Sequence, residues 1–443
     1  MSMELPQDFI NKYQGILGNE AQPFFASFDE TAISGFRTNP LKEQQVTFDE
    51  PIPDTPWGHY GKISGKSVEH VTGLVYSQEP AAQMVGQVAS PKPGMKVLDL
   101  AAAPGGKTTH LLSYLNNTGL LISNEINTKR SKILAENIER FGARNVVVTN
   151  ESAERLAKVF PNYFDLIVFD GPCSGEGMFR KDPDAMAYWH EDYPNELADL
   201  QKTILSEAIT MLAPGGELVY STCTWSPEEN EDVVSWLLES FDYLELIPIR
   251  PINGMTDSEL VPGTVRMYPH RFKGEGQFIA KFKNLRSQSG SPKTKNKKKT
   301  RASSLTKNQA ELWNHFSNEH LAIDLAGSYE TFGDHLYLLP AGLPDLSKIR
   351  IARNGLHLGT FKKKRFEPSF ALGIALKPSE VVQNIEITIE QFLIYVSGNQ
   401  VILNQNYPNG WYQIVVNGNG LGFAKVVGNQ LKNYYPKGLR FQA

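Results

Sequence analysis

Between residues 96 and 282 short β-rich runs alternate with helical stretches, and this alternation narrows the available folds more than any other feature. Val97-Leu98-Asp99-Leu100 reads as a buried strand, followed by a Pro/Gly turn and a helix from about Lys107. Leu120–Asn124 reads as a second strand and Thr128–Phe141 as a second helix. Further strands are expected at Asn145–Thr149, at Asp165–Phe169, and at Glu217–Ser221 after the Pro214-Gly215-Gly216 turn. Strands that alternate with helices form a parallel sheet covered by helices on both faces. In such sheets ligands bind beyond the carboxyl ends of the strands. Glu125, Asp170 and Cys223 each closely follow a predicted strand.

The flanks differ in pattern. Leu5, Phe9 and Tyr13 recur every four residues, as in a short amphipathic helix. Pro40, Pro51, Pro53 and Pro56 then exclude a long helix. The net charge of −4 hides an asymmetry, because residues 283–301 hold eight Lys or Arg and no acid, leaving −12 for the rest. Such a run either contacts nucleic acid through phosphates or is a solvated linker, and the two are compatible. The Ser-, Lys- and Pro-rich stretch 284–304 reads as a basic linker between domains. After it comes a helix over Thr306–Leu321, then short strands and Gly turns, which make residues 305–443 mainly β.

Several classes are excluded by composition. No apolar run approaches the ~18 residues of a membrane span, and MSMELPQDFI lacks the features of a secretory signal. Two cysteines, Cys173 and Cys223, are too few for a disulfide framework or an all-cysteine metal site. A cytoplasmic location without membrane association is expected. His59, His70 and His110 lack ligand-like spacing, so no metal is assigned.

Two motifs carry chemistry. AAAPGGKTT (101–109) follows a strand and opens a helix, where backbone N–H groups can hold an anionic or polar ligand. A phosphate-binding loop fits Gly106-Lys107-Thr108 but would need its first glycine at Ala101. A plain strand–turn–helix corner and the loop of a nucleoside cofactor are the other readings. Glu125, at the end of the next strand, supports the last, since a carboxylate there can accept both ribose hydroxyls. The second motif is the pair of cysteines, in Asp170-Gly171-Pro172-Cys173-Ser174-Gly175 and Ser221-Thr222-Cys223-Thr224. Adjacent strand ends can bring both thiols into one pocket, although free cysteines are often small buried hydrophobes.

Taken together, LDLAAAPGGKT, DGPCSGEGMFRKDP, YSTCTWSPEENE and PHRFKGEGQFIAKF resemble the NOL1/NOP2/Sun family of S-adenosylmethionine-dependent RNA cytosine-5 methyltransferases. LPQDFINKY and GFRTNPLK look like that family's RNA-recognition-like leader. LGFAKVVGNQLKNYYPKGLR is similar to the PUA-like tail of its bacterial members that act on 16S ribosomal RNA. The resemblance covers nearly the whole chain. It implies an α/β Rossmann-like methyltransferase domain over 76–283, an N-terminal RNA-recognition-like α+β domain over 1–75, and a mainly β PUA-like RNA-binding region over 305–443.

The resemblance also implies roles. Cys223 would be the nucleophile that adds to carbon 6 of cytosine, and Cys173 would assist proton removal or product release. Asp170 would bond the base near ring nitrogen 3, and Lys107 would hold Asp170. Ala101, Ala102, Ala103, Pro104, Gly105, Gly106 and Lys107 would wrap the methionine end of S-adenosylmethionine. Glu125 would bind its ribose, Arg130 would shape the site, and Asp170 would border the cofactor as well. One position departs from the family, which often has an Asp near the adenine where this chain has Ser152; either Ser152 makes that contact or Glu151 turns inward. Arg37, Arg180, Lys181, Arg271 and Lys273 flank the motifs as candidate phosphate contacts. The expected partner is 16S rRNA or the small ribosomal subunit, bound by a monomer. The same chemistry on tRNA, a non-catalytic ribosome assembly factor and a nucleotide hydrolase are the rival functions.

Overall fold

The computed structural model describes residues 3–287 and 305–442, so most of the expected linker 284–304 lies outside the described residues. The chain begins with helices α1 (Gln7–Leu17) and α2 (Ala21–Ala26). Strands β1 (Gly35–Thr38), β2 (Gly58–Tyr60) and β3 (Val75–Ser77) form an antiparallel sheet in the order β2-β1-β3, with the short helix α3 (Val68–Val71) before β3. Pro40, Pro51, Pro53 and Pro56 all fall in the β1–β2 connection.

The next stretch winds strands and helices alternately. It runs α4 (Pro80–Ala89), β4 (Lys96–Asp99), α5 (Gly106–Leu115), β5 (Leu120–Asn124), α6 (Thr128–Phe141), β6 (Val146–Thr149) and α7 (Ala153–Ala157). It continues through β7 (Phe164–Asp170), α8 (Tyr193–Met211), β8 (Leu212–Thr222) and α9 (Glu231–Ser240). Strands β8-β7-β4-β5-β6 are parallel neighbours. The sheet extends antiparallel through β12 (Gln277–Asn284), β11 (Val265–Met267) and β10 (Thr256–Asp257), and β9 (Leu244–Leu246) pairs with β12. Successive strand side chains point to opposite faces, and so one core takes Val97, Val168 and Val219 while the other takes Leu98, Ile167 and Leu218. The last parallel strand starts earlier than the Pro-Gly-Gly turn suggests. Its pairing with β7 jumps from Phe164↔Leu212 to Leu166↔Glu217, so Ala213–Gly216 bulge out of a longer strand, with Gly215 at φ +74°.

The C-terminal residues build two sheets. Helix α10 (Lys307–His320) starts at a Thr306/Gln309 capping box. Strands β13 (Ser328–Phe332), β14 (His335–Leu339), β16 (Leu356–Lys362) and β17 (Arg365–Pro368) form the first sheet, and α11 (Phe370–Ala375) follows it. The second contains β18 (Asn384–Glu386), β20 (Gly410–Val416), β21 (Asn419–Val427), β22 (Gln430–Lys432) and β19 (Val401–Ile402), with α12 (Ile389–Val396) after β18. One strand leaves this region. β15 (Ile351–Arg353) docks antiparallel on β6 and becomes the far edge of the Rossmann-like sheet. No helix among the described residues is long and apolar enough to cross a membrane.

An aromatic cluster fixes α1 to the body. Phe9 and Tyr13 lie one turn apart and are fully buried. Phe9 meets Phe179 at 5.3 Å and Trp189 at 5.7 Å between ring centroids, and Tyr13 meets Trp225 at 6.2 Å. Phe179 and Trp225 follow the two cysteines by only six and two positions, so the first helix packs on both cysteine loops. Phe9→Ala should lower stability by about 3–5 kcal/mol through lost burial and an unfilled cavity. The midpoint of urea unfolding checks this, and a shift equivalent to less than about 1 kcal/mol would show that the cluster does not anchor the helix.

Candidate active site

A cavity of about 730 Å³ opens at the carboxyl ends of the parallel strands. Its wall takes Leu100, Ala101 and Ala103 after β4, Asn124–Ile126 after β5, Glu151–Glu154 after β6, Phe169–Cys173 after β7 and Cys223 after β8. Helix α8 closes one side with Leu200, Thr203, Ile204 and Glu207. Of the expected cofactor residues, Ala101, Ala103, Glu125, Arg130, Ser152 and Asp170 line this cavity together with both cysteines. Ala102, Pro104, Gly105, Gly106 and Lys107 do not line it.

The loop 101–106 is held by bonds to its backbone. Ala102 N–H donates to the Asn124 carbonyl (2.8 Å), Arg130 Nη2 to the Ala103 carbonyl (2.7 Å) and Asn137 Nδ2 to the Pro104 carbonyl (2.8 Å). Gly105 has φ +117°, and a Cβ there would lie 3.2 Å from Leu134 Cδ1, so the turn into α5 requires glycine. Glu125 is buried, and one carboxylate oxygen accepts the Asn127 N–H at 2.8 Å. The other lies 3.6 Å from Arg130 Nη2.

Lys107 crosses from the start of α5 to Asp170, with Nζ 2.5 Å from Oδ2. Burial alone would push the ammonium down, but the charge and hydrogen bond of Asp170, with Cys223 and Asp99 adding, carry it above its ordinary value. Asp170 Oδ1 accepts from Ser221 Oγ (2.6 Å) and Gln277 Nε2 (2.9 Å). One carboxylate thereby joins the first loop, the strand before Cys223 and strand β12.

The two sulfurs lie 3.0 Å apart, and Cys223 N–H donates to Cys173 Sγ at 3.3 Å. Both are free cysteines and half-buried. The hydrogen bond to Cys223, burial, and the charges of Cys223, Glu229 and Asp170 raise the Cys173 thiol well above its usual range. At this separation either sulfur can be the donor, and the raised Cys173 thiol favours the protonated form there.

A clamp that the sequence reading did not single out holds these loops. Glu229 is fully buried and accepts Ser174 N–H (2.9 Å), Ser174 Oγ–H (2.5 Å) and Gln201 Nε2–H (3.1 Å). Gln201 also donates to the Pro172 carbonyl (2.9 Å), and Tyr220 O–H donates to Gln201 Oε1 (2.8 Å). From α1, Tyr13 O–H bonds Glu176, and Lys12 reaches Ser226 Oγ (2.7 Å) and Glu228 (2.9 Å). Glu229 lies within the quoted PEENE segment, but Gln201 is remote from every motif, and only the fold brings it here.

Glu151 and Ser152, the two residues expected near an adenine, both line the cavity. Ser152 Oγ caps α7, accepting Arg155 N–H at 3.4 Å. Glu151 is buried, but Oε1 accepts the Arg350 backbone N–H (2.8 Å), and Oε2 faces Arg155 Nε at 3.3 Å. The Arg350 carbonyl accepts Asn150 N–H (2.9 Å), while Asn150 Nδ2 holds the carbonyls of Glu125 (2.6 Å) and Ile126 (2.9 Å). The residue before β15 thus braces the wall that carries Glu125.

Two candidate phosphate contacts are corrected. Arg37 is buried and donates to Gln78 Oε1, the Gly106 carbonyl and Thr109 Oγ1, so it supports the first loop. Arg180 is buried against Glu275 and the carbonyls of Ser27 and Gly274. Arg271 and Lys273 remain partly exposed but face Glu20 and Glu50, while Lys181 is exposed.

Comparisons with known proteins agree along the chain. The family model described as 16S rRNA methyltransferase RsmB/F matches residues 87–283. Models for the RsmF N-terminal domain, first C-terminal domain and PUA domain match 5–80, 315–376 and 382–441. The chain is 33% identical to ribosomal RNA small subunit methyltransferase F of Shewanella loihica over 88% of its length and 83% of that protein. It is 31% identical to the Vibrio campbellii protein of that name over 98% of its length and 97% of that protein. A methyltransferase homolog protein from Pyrococcus horikoshii superposes with TM-score 0.54 at 30% identity, over 62% of this chain and 94% of that one. NSun6 from the same organism, solved with SFG, shares the fold at TM-score 0.59 and 21% identity, over 65% of this chain and all of that one.

Burial pushes the Glu229 carboxyl up to about 8; the Ser174 and Gln201 bonds oppose this, and the Glu176 charge adds to it. The folded chain then binds a proton there that the unfolded chain releases near its ordinary value of 4.5. Stability from this group therefore falls as pH rises from about 4.5 to about 8. Urea midpoints of wild type and Glu229→Gln across that range should diverge in the variant's favour as pH rises. A pH-independent difference would refute the assignment.

Proposed function

The chain belongs to the RsmB/F family of 16S rRNA methyltransferases, and from that premise we propose that it methylates carbon 5 of a cytidine in 16S rRNA through a covalent Cys223–cytosine adduct. The observation that carries this reading is the pair of sulfurs 3.0 Å apart, lining one cavity with Glu125 and Asp170.

The residues present fit S-adenosylmethionine as cofactor. The cavity volume lies within the usual range for small-molecule sites, ~300–1,000 Å³. At its mouth Ile126 and Leu200 expose 66% and 44% of their surface, apolar area that a flat adenine ring would cover. Glu125 presents a buried carboxylate to the ribose hydroxyls, and Arg130 holds the loop beside it. When bound, the cofactor supplies an electrophilic methyl group on a sulfonium sulfur.

Carbon 5 of cytosine is a weak nucleophile, and the protein's task is to raise its electron density. Cys223 Sγ, as thiolate, adds to carbon 6, and the displaced electron pair moves toward carbon 5. Cys173 retains its proton and donates to the neighbouring sulfur, which favours negative charge on Cys223 rather than on Cys173. As the adduct forms nitrogen 3 becomes basic and takes up a proton, and the Asp170 carboxylate, fixed by Lys107, Ser221 and Gln277, accepts that N–H and stabilises the protonated adduct. Once carbon 5 is methylated, its proton passes to water, the electron pair returns to the ring, and Cys223 leaves as thiolate. Cys173, beside the leaving sulfur, assists that step. The target base leaves any helical stack to reach this depth, at a cost of about a few kcal/mol. Residues 1–75 and 305–443 supply the RNA-recognition modules around the catalytic domain.

Transfer of labelled methyl from S-adenosylmethionine to small subunits, free 16S rRNA and bulk tRNA tests the reading, with the product base identified. 5-Methylcytosine in 16S rRNA is expected; label only in tRNA, or at another atom, overturns the substrate or the position. Cys223→Ala should abolish turnover and adduct formation. Cys173→Ala should accumulate a covalent protein–RNA complex, seen as a slow band on a denaturing gel. The reverse pattern would exchange the two roles.

A further inference from the structure

A second hollow, of about 360 Å³, lies between α6 and the first C-terminal sheet. It shares no lining residue with the cavity of the two cysteines. Its sheet side is aromatic. Tyr337 and His357 are cross-strand partners on β14 and β16, with ring centroids 4.9 Å apart at 30°. Phe332 on β13 meets Tyr337 edge-on at 5.6 Å and is 48% exposed.

The opposite wall is charged and poorly satisfied. Arg353 on β15 is only 8% exposed, yet its Nε has no hydrogen-bond partner among the described residues. Its two Nη atoms reach only the Val146 and Ala143 carbonyls, each at 3.4 Å. Glu139 of α6 lines the same hollow, and its carboxylate has no hydrogen bond or ion pair among the described residues. A buried guanidinium donor without an acceptor is costly. A ligand with acceptors for Arg353, donors for Glu139 and a flat apolar face would satisfy all three walls.

We infer that this hollow binds an unpaired guanine of the substrate RNA, stacked on Tyr337 with the perpendicular Phe332 ring against its rim, and held at its edges by Arg353 and Glu139. Guanine is the RNA base that pairs two adjacent acceptors, O6 and N7, with two donors, N1–H and N2–H, on the neighbouring edge. Arginine reads the first pair by two parallel bonds, and a carboxylate accepts the second pair. Sequence-specific RNA recognition uses single-stranded bases splayed onto aromatic side chains. The assignment rests on the RNA-methyltransferase reading above and adds a contact far in sequence from the cysteine motifs.

Fluorescence anisotropy of the full chain with labelled UUGUUU and UUUUUU hexaribonucleotides tests it. The guanine-containing strand should bind about five- to hundredfold more tightly, the discrimination that a bidentate contact to the guanine edge supplies. Phe332→Ala, Tyr337→Ala and Arg353→Gln should each remove most of that preference, while S-adenosylhomocysteine binding by calorimetry stays unchanged. Phe332 is half-exposed, so its variant keeps the test valid even if Arg353→Gln does not fold. Equal binding of the two strands, or a preference untouched in Phe332→Ala and Tyr337→Ala, overturns the inference. Competition by free GMP without any strand preference also overturns it, in favour of a mononucleotide ligand. Methyl transfer to 16S rRNA is scored separately. Its loss would sink the functional reading, whereas normal transfer with no guanine preference would sink this inference alone.

Discussion

The ion pair between Lys107 and Asp170 is the constraint around which the site is organised. Each residue follows a different parallel strand, and both are only partly exposed. Two charges taken out of water are tolerated when they are paired and their remaining bonding capacity is used. Asp170 spends its second oxygen on Ser221 and Gln277, so one carboxylate registers the ends of β7 and β8, the start of α5 and the first residue of β12. The cysteines sit three residues beyond Asp170 and two beyond Ser221. Their separation follows from where those two strands end and from how the carboxylate binds them.

The Rossmann-like sheet does not hold this geometry alone. From the N-terminal side, Tyr13 and Lys12 bind the loops after both cysteines, and Phe9 packs behind them. From the C-terminal side, the backbone of Arg350 bonds Asn150 and Glu151 on the cavity wall. Backbone groups at a sheet edge need partners, and β15 supplies them to β6 while leaving the sheet of its own module. The flanking modules thus brace, from behind, the loops that form the cavity wall. A buried Glu151 whose carboxylate is taken by protein donors also explains how a site with serine at position 152 keeps its shape.

Much of this was legible in the sequence, for a physical reason. Strand Leu120–Asn124 and helix Thr128–Phe141 match the reading to the residue, because hydrophobic period, an Asn127 cap and a Gly142 stop all agree. The placement of Glu125, Asp170 and Cys223 at strand ends follows from the same periodicity. What was not legible depends on distant partners. Arg37 and Arg180 have the composition of phosphate contacts, and only the tertiary fold shows them buried against Gln78 and Glu275. The departure of β15 from its own sheet has no local signal, since three residues carry no register of their own. The Pro214-Gly215-Gly216 turn was read as a strand boundary, yet a turn and a wide bulge use the same residues.

The asymmetry of the two cysteines follows from the same architecture. Identical side chains 3.0 Å apart cannot both be thiolates, because like charges at that distance repel strongly in a partly buried site. Their surroundings decide which sulfur keeps the proton. The hydrogen bond to Cys223 and burial hold the Cys173 thiol up, and the Asp170 charge adds to them. Lys107, by contrast, is drawn upward partly by Cys223. The buried carboxyl group of Glu229 ties the Cys173 loop to α8 and to the loop beyond Cys223, and so fixes the sulfur that follows β7 beside the one at the end of β8.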